Sequence, residues 1–133
     1  ERHTESISAA GIPHKLDVAL PLTRMPAFRA GLDAVIAAAG AQAIVFGHIG
    51  MGNLHVNVLG PDAGDDRVDH AVLRLSAEHG GTISAEHGIG RAKTAVLHLY
   101  RSAAEIAVMR AVKSALDPAG ILNPDVLFPP GPG

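Results

Sequence analysis

Ala43-Ile44-Val45-Phe46-Gly47-His48-Ile49-Gly50-Met51-Gly52-Asn53-Leu54-His55-Val56-Asn57-Val58-Leu59 is the stretch on which the fold turns. A short apolar run, a glycine-punctuated turn and an alternating run read as two strands joined in a hairpin. The first strand covers Ala43 to Gly47, the turn Gly50 to Asn53, and the second strand Leu54 to Leu59. Side chains alternate along a strand, so Leu54, Val56 and Val58 share one face while His55 and Asn57 share the other. One face belongs to a core; the other is polar and carries an imidazole.

Residues 14–20 repeat the same period, with Leu16, Val18 and Leu20 on one face, Lys15 and Asp17 on the other, and Pro21 as the stop. Thr23 is placed to cap a helix whose apolar positions Phe28, Leu32, Val35, Ile36 and Ala39 follow the 3.6-residue period up to Gly40. Asp65 to His79 reads as a second helix closing at Gly80-Gly81. Residues 82–90 read as a short strand running into a glycine-rich loop, and Arg91 to Tyr100 as a short helix. Ser102 and Glu105 form a capping box for a helix through Leu116, with Ile106, Met109, Val112 and Leu116 as its inner stripe and Asp117-Pro118 as its stop. Arg2 to Ala10 reads as part of a helix already under way and residues 129–133 as a flexible tail, so a piece of a longer protein is expected. This order of elements implies an α+β fold, an antiparallel sheet with helices on one side. The opposite sheet face, with Lys15, His55 and Asn57, must then meet something else.

A chain of 133 residues is expected to form one domain around one core. With 47% apolar and only 3% aromatic residues, that core must be aliphatic, and few rings are available to stack bases. A formal charge of -2 without a basic stripe argues against nucleic acid as a partner. No apolar run approaches the roughly 18 residues of a membrane span. No basic-then-apolar leader is read, and a cytoplasmic chain is the expectation. Cysteine is absent, so any metal would have to use imidazole and carboxylate, a donor set suited to zinc, manganese or iron.

Gly47–His55 and Ile83–Gly90 together offer three imidazoles and a carboxylate among glycines. Residues facing each other across a tight turn lie about 5 Å apart between Cα atoms, so His48 and His55 are expected to reach one ion. Glu86 would add an anionic ligand, and two histidines with one carboxylate leave coordination positions open, as catalytic sites do. His87 would remain a free imidazole, a group suited to accept a proton. His3, His14, His70, His79 and His98 read as ordinary hydrogen-bonded or surface residues. On composition alone Arg2 and Lys15 read as surface cations, and Asn57 as a partner for a neighbouring strand. Gly47, Gly50 and Gly52 lie between strands and not before a helix, which excludes a dinucleotide fingerprint.

Three motifs, Gly-His-x-Gly-x-Gly-Asn-Leu-His (47–55), Ile-Ser-Ala-Glu-His-Gly-Ile-Gly (83–90) and Asp-Pro-x-Gly-Ile-Leu-Asn-Pro (117–124), resemble the C-terminal domain of FAD-linked oxidases. That family includes D-2-hydroxyglutarate dehydrogenase, D-lactate dehydrogenase and the flavin subunit of glycolate oxidase; the Ser-Ala-Glu-His wording and Asn57 look most like the first. The resemblance implies a ferredoxin-like cap and a C-terminal segment packing on an FAD-binding domain absent from this chain. It implies oxidation of a D-2-hydroxy acid to a 2-oxo acid with hydride transfer to FAD. His48, His55 and Glu86 match metal ligands (zinc first, manganese or iron otherwise), and His87 matches the catalytic base. Asn57 and Lys15 match substrate contacts, as do Arg2 and Ser6, and Asn123 falls in the segment assigned to the cofactor. Met51 stands where members usually carry Asp, a residue that could orient a ligand. An electron-acceptor protein and a homodimer are further partners implied. Two alternatives stay open at this point, a metal-dependent hydrolase and a non-catalytic interaction fragment, since the isolated chain lacks a hydride acceptor.

Overall fold

The structure, a computed structural model, describes residues 12–128. The helix expected over Arg2–Ala10, and with it Arg2 and Ser6, lies outside the described residues. Three strands are present: β1 (His14–Ala19), β2 (Gln42–Phe46) and β3 (Asn53–Leu59). They form one antiparallel sheet in the order β1-β3-β2. The helices are α1 (Met25–Ala38), α2 (Arg67–Glu78) and α3 (Ala103–Leu116). The α+β class expected from the sequence is what the chain adopts.

The chain divides at His87 and Gly88 into two compact units, where a single core was expected. In the first unit the register places Leu16 opposite Val56 and Val18 opposite Leu54. These residues, with Val58, join Phe28, Leu32 and Ile36 of α1 and Val68, Val72 and Leu73 of α2 as the buried apolar set. Removing such a side chain from water stabilises by about 1.5–3 kcal/mol each, and this layer holds the sheet against its helices. Thr82 makes a lone antiparallel bridge to Ala19 on the free edge of β1. A ferredoxin-like β-α-β-β-α-β unit would place its last strand on that edge. Here it is reduced to one residue pair, so the short strand expected over 82–90 is a bridge followed by irregular chain.

Two boundaries differ from expectation for local reasons. Pro21 leads into a 3₁₀ turn at Leu22–Arg24 that absorbs Thr23, and α1 starts at Met25 without a side-chain cap. Pro26 in its first turn has no intrahelical N–H to lose there. The glycine-rich connection of the hairpin is itself a 3₁₀ turn, Ile49–Met51, closed by Gly52 in the left-handed region at φ 81°.

The second unit contains a 3₁₀ segment, Thr94–Leu99, in place of the helix expected over 91–100, and then α3. The capping box is present: the Glu105 N–H donates to the Ser102 hydroxyl while the Glu105 carboxylate accepts from the Ser102 N–H. The expected inner stripe is not buried. No residue of α3 is buried, and Val112 and Leu116 are 53% and 76% exposed. Beyond the helix, the buried Asp117 carboxylate accepts from the Ile121 and Leu122 N–H groups and pairs with Lys113. The chain just after α3 is therefore a folded turn. Asn123 lies within it at φ 45°.

Candidate active site

The sheet face turned away from the helices is organised by the same register that builds the core. On it Lys15 lies opposite Asn57, which lies opposite Ile44, while Asp17 lies opposite His55, which lies opposite Phe46. The polar face read from the alternation is therefore real, and it pairs residues that are far apart in sequence. Lys15 is exposed and Asn57 buried, whereas Ile44 and Phe46 are each 36% exposed and form an apolar border.

Residues 82–85 run along the free edge of β1, and 86–87 reach over it to the Asp17 side chain. The Ala85 N–H donates to the Asp17 carbonyl at 3.4 Å. The Glu86 and His87 N–H groups both donate to Asp17 Oδ2, at 2.7 and 3.3 Å. Asp17 is 2% exposed, and its Oδ1 has no hydrogen-bond partner. Both neighbouring imidazoles turn Nδ1 towards it, His55 at 3.5 Å from Oδ1 and His87 at 3.9 Å from Oδ2. The His55 and His87 rings stack with centroids 5.9 Å apart, and Phe46 adjoins His55 at 5.3 Å. Glu86 accepts a 2.5 Å hydrogen bond from the side-chain amide of Asn53, the residue that opens β3.

Three of the four residues singled out from the sequence, His55, Glu86 and His87, are thus brought together. His48 stands at the start of the 3₁₀ turn and is exposed, and its carbonyl accepts from the Asn53 N–H at 3.3 Å. Among the described residues no group of three or more His, Asp or Glu side chains is placed to hold a metal ion. The donor chemistry of His48, His55 and Glu86 suits a divalent cation, but among the described residues these side chains are not gathered around one point.

Asp17, Asn53 and Phe46 are the site residues that sequence reasoning missed. A signal existed for Asp17: aspartate is depleted in strand interiors, and its position in the period-two run puts it on the imidazole face. Met51 is 83% exposed on the turn, and Asn123 lies in the second unit.

The fold and site define a ferredoxin-like domain that presents an imidazole pair and two carboxylates on the open face of its sheet. The chain belongs to the family of FAD linked oxidases, C-terminal domain, whose model matches residues 3–127. It is 40% identical over 126 residues to a D-2-hydroxyglutarate dehydrogenase of Stutzerimonas stutzeri, covering 87% of this chain and 27% of that protein. It is 44% identical over 126 residues to the D-2-hydroxyglutarate dehydrogenase of Xanthomonas citri pv. viticola, with the same coverage. An uncharacterised FAD-linked oxidoreductase of Mycobacterium tuberculosis is 38% identical over 121 residues, covering 90% of this chain and 26% of that protein. The chain spans about a quarter of the length of these relatives.

Proposed function

We propose that this chain is the C-terminal part of a flavin-dependent dehydrogenase that oxidises a D-2-hydroxy acid to the 2-oxo acid. The observation that carries the reading is the stacked His55–His87 pair beside Glu86 on the open sheet face, in a chain of the FAD-linked oxidase family. Flavin, bound by a domain outside this chain, supplies the acceptor for the C2 hydride. The remaining work falls to residues on this chain. The His87 imidazole, 64% exposed, takes the hydroxyl proton as the C2–H bond breaks, so that one proton and one hydride leave the substrate. Lys15 offers an exposed ammonium to a substrate carboxylate, beside the Asn57 amide across the strand pair. Ile44 and Phe46 border the face and limit water around the reacting carbon.

The similarity to D-2-hydroxyglutarate dehydrogenases supports a dicarboxylic hydroxy acid, for which a second cation besides Lys15 is needed; Arg2 is the proposed one, and Ser6 a further proposed contact. A divalent cation held by His48, His55 and Glu86 requires these three side chains to close on one point, which they do not do here. One equivalent of zinc or manganese in the full-length protein, lost on chelation together with activity, would establish it; activity in metal-free protein would remove it.

His87→Ala in the full-length protein is expected to lower turnover by about 10²–10⁴-fold, the usual contribution of a general base. The side chain is exposed, so folding should be unchanged. Near-normal turnover of a 2-hydroxy acid by that variant would remove His87 from the role.

A further inference from the structure

Asp17 lies in β1 between Leu16 and Val18 and is 2% exposed. A carboxylate is unfavourable in such a place unless its oxygens are matched by donors. The Glu86 and His87 N–H groups supply donors, converging on Oδ2 across 69 and 70 residues of sequence. The other oxygen, Oδ1, lacks a hydrogen bond and faces His55 Nδ1 at 3.5 Å. His87 Nδ1 lies 3.9 Å from Oδ2, so one buried carboxylate is addressed by both rings through the same nitrogen.

We propose that Asp17 is the positioning residue of this site. Oδ2 clamps the backbone of 86–87 onto the sheet, which fixes where the Glu86 and His87 side chains begin. Oδ1 draws the Nδ1 proton of His55, leaving Nε2 of that ring as the free acceptor, and the same carboxylate keeps its charge 3.9 Å from His87 Nδ1. The tautomer of an imidazole is set by the partner of its other nitrogen. Asp17 is buried beneath the loop and acts through the imidazoles and the loop backbone without touching substrate. The catalytic part of this inference rests on the hydroxy-acid dehydrogenase reading above; the structural part does not.

The test uses the full-length protein and two variants. In Asp17→Asn the side-chain oxygen can keep the 86–87 clamp, while its amide presents N–H to His55 where the wild type presents an acceptor. Melting temperature and flavin content are expected to hold and KM to stay near the wild-type value. The kcat is expected to fall by about 10²-fold, the upper range for loss of a partner that orients an active-site histidine. In ¹⁵N spectra of histidine-labelled protein the His55 signals should change from the Nδ1–H to the Nε2–H pattern. Asp17→Ala removes the clamp, and the Glu86 and His87 amides should then exchange with solvent faster than in the wild type.

Wild-type kcat in Asp17→Asn, an unchanged His55 nitrogen pattern, or unchanged amide exchange in Asp17→Ala would each overturn the proposal. If Asp17→Ala does not fold, the nitrogen pattern of Asp17→Asn decides. A full-length protein without 2-hydroxy acid turnover would sink the functional reading alone, since exchange and nitrogen spectra are read without substrate.

Discussion

Gly52→Ala should be the most damaging single-methyl change in the hairpin. Gly52 sits at φ +81°, and a Cβ built there lies 2.2 Å from the Leu20 carbonyl oxygen, well inside the 3.0 Å that real Cβ contacts respect. The neighbour is backbone and cannot rotate away. The same two residues are joined by a hydrogen bond from the Leu20 N–H to the Gly52 carbonyl at 2.9 Å. Relief therefore means parting β1 from the turn by about 1 Å, which breaks that bond at a cost of about 0.5–1.5 kcal/mol. Holding alanine in the left-handed region adds roughly 1–2 kcal/mol. The sum is about 1.5–3.5 kcal/mol, a large share of the ~5–15 kcal/mol that stabilises an ordinary domain. Gly50 is the internal control: its φ is not in the left-handed region and a Cβ there meets nothing within 4 Å. Gly50→Ala should be neutral or stabilise by up to about 1 kcal/mol through the unfolded state. Equilibrium urea unfolding followed by circular dichroism separates the two, because typical urea slopes convert the Gly52→Ala loss into a midpoint shift of about 1–2 M. Wild-type stability in Gly52→Ala, or an equal fall in Gly50→Ala, would refute the close approach of turn and strand.

Other measurements address separate parts of the chain. The Asp69 carboxylate, hydrogen-bonded at 3.0 Å, raises the His14 pKa above its ordinary 6.5. The stability from this pair is fully present below the unfolded value and lost as pH rises through the folded one. The melting temperature of Asp69→Asn should thus fall furthest behind the wild type in mild acid and converge with it at alkaline pH; a constant gap would contradict the pairing. Lys113 first, and the Leu122 and Ile121 N–H groups after it, hold Asp117 below the ordinary carboxylate range. That contribution is present above about 3.8, the unfolded value, and is lost as pH falls through the folded one. The stability gap between wild type and Asp117→Ala should therefore close only in strong acid, as read by pH-resolved unfolding. Lys15→Met should raise KM for a 2-hydroxy acid by about tenfold or more, the loss of one charge-assisted contact, without changing the melting temperature. An unchanged KM would take Lys15 out of the substrate site.

Period-two patterning made the sheet legible, because each strand must bury one face and the alternation records which. It told correctly that Leu54, Val56 and Val58 oppose His55 and Asn57. The capping box at Ser102 was equally readable, being a local contact between residues three apart. What escaped was non-local. Nothing near Asp17 in the chain announces that residues 86–87 will donate to it, and nothing near Glu86 announces Asn53. The motif around His48 shows spacing, while the 3₁₀ turn between the strands sets where its backbone runs. The α3 stripe shows a further limit, since periodicity reveals an apolar face without showing what covers it. Thr23 lost its cap because the proline two residues earlier favoured a 3₁₀ entry.

The pairing of Asp17 with His55 and of Leu16 with Val56 has a consequence for how such a chain can vary. Inserting or deleting one residue between His14 and Ala19 would turn part of β1 over, sending the carboxylate among the helices and an aliphatic side chain to the imidazoles. Drift in length must accordingly fall outside these six positions. They act as a fixed gauge that any functional descendant has to inherit whole.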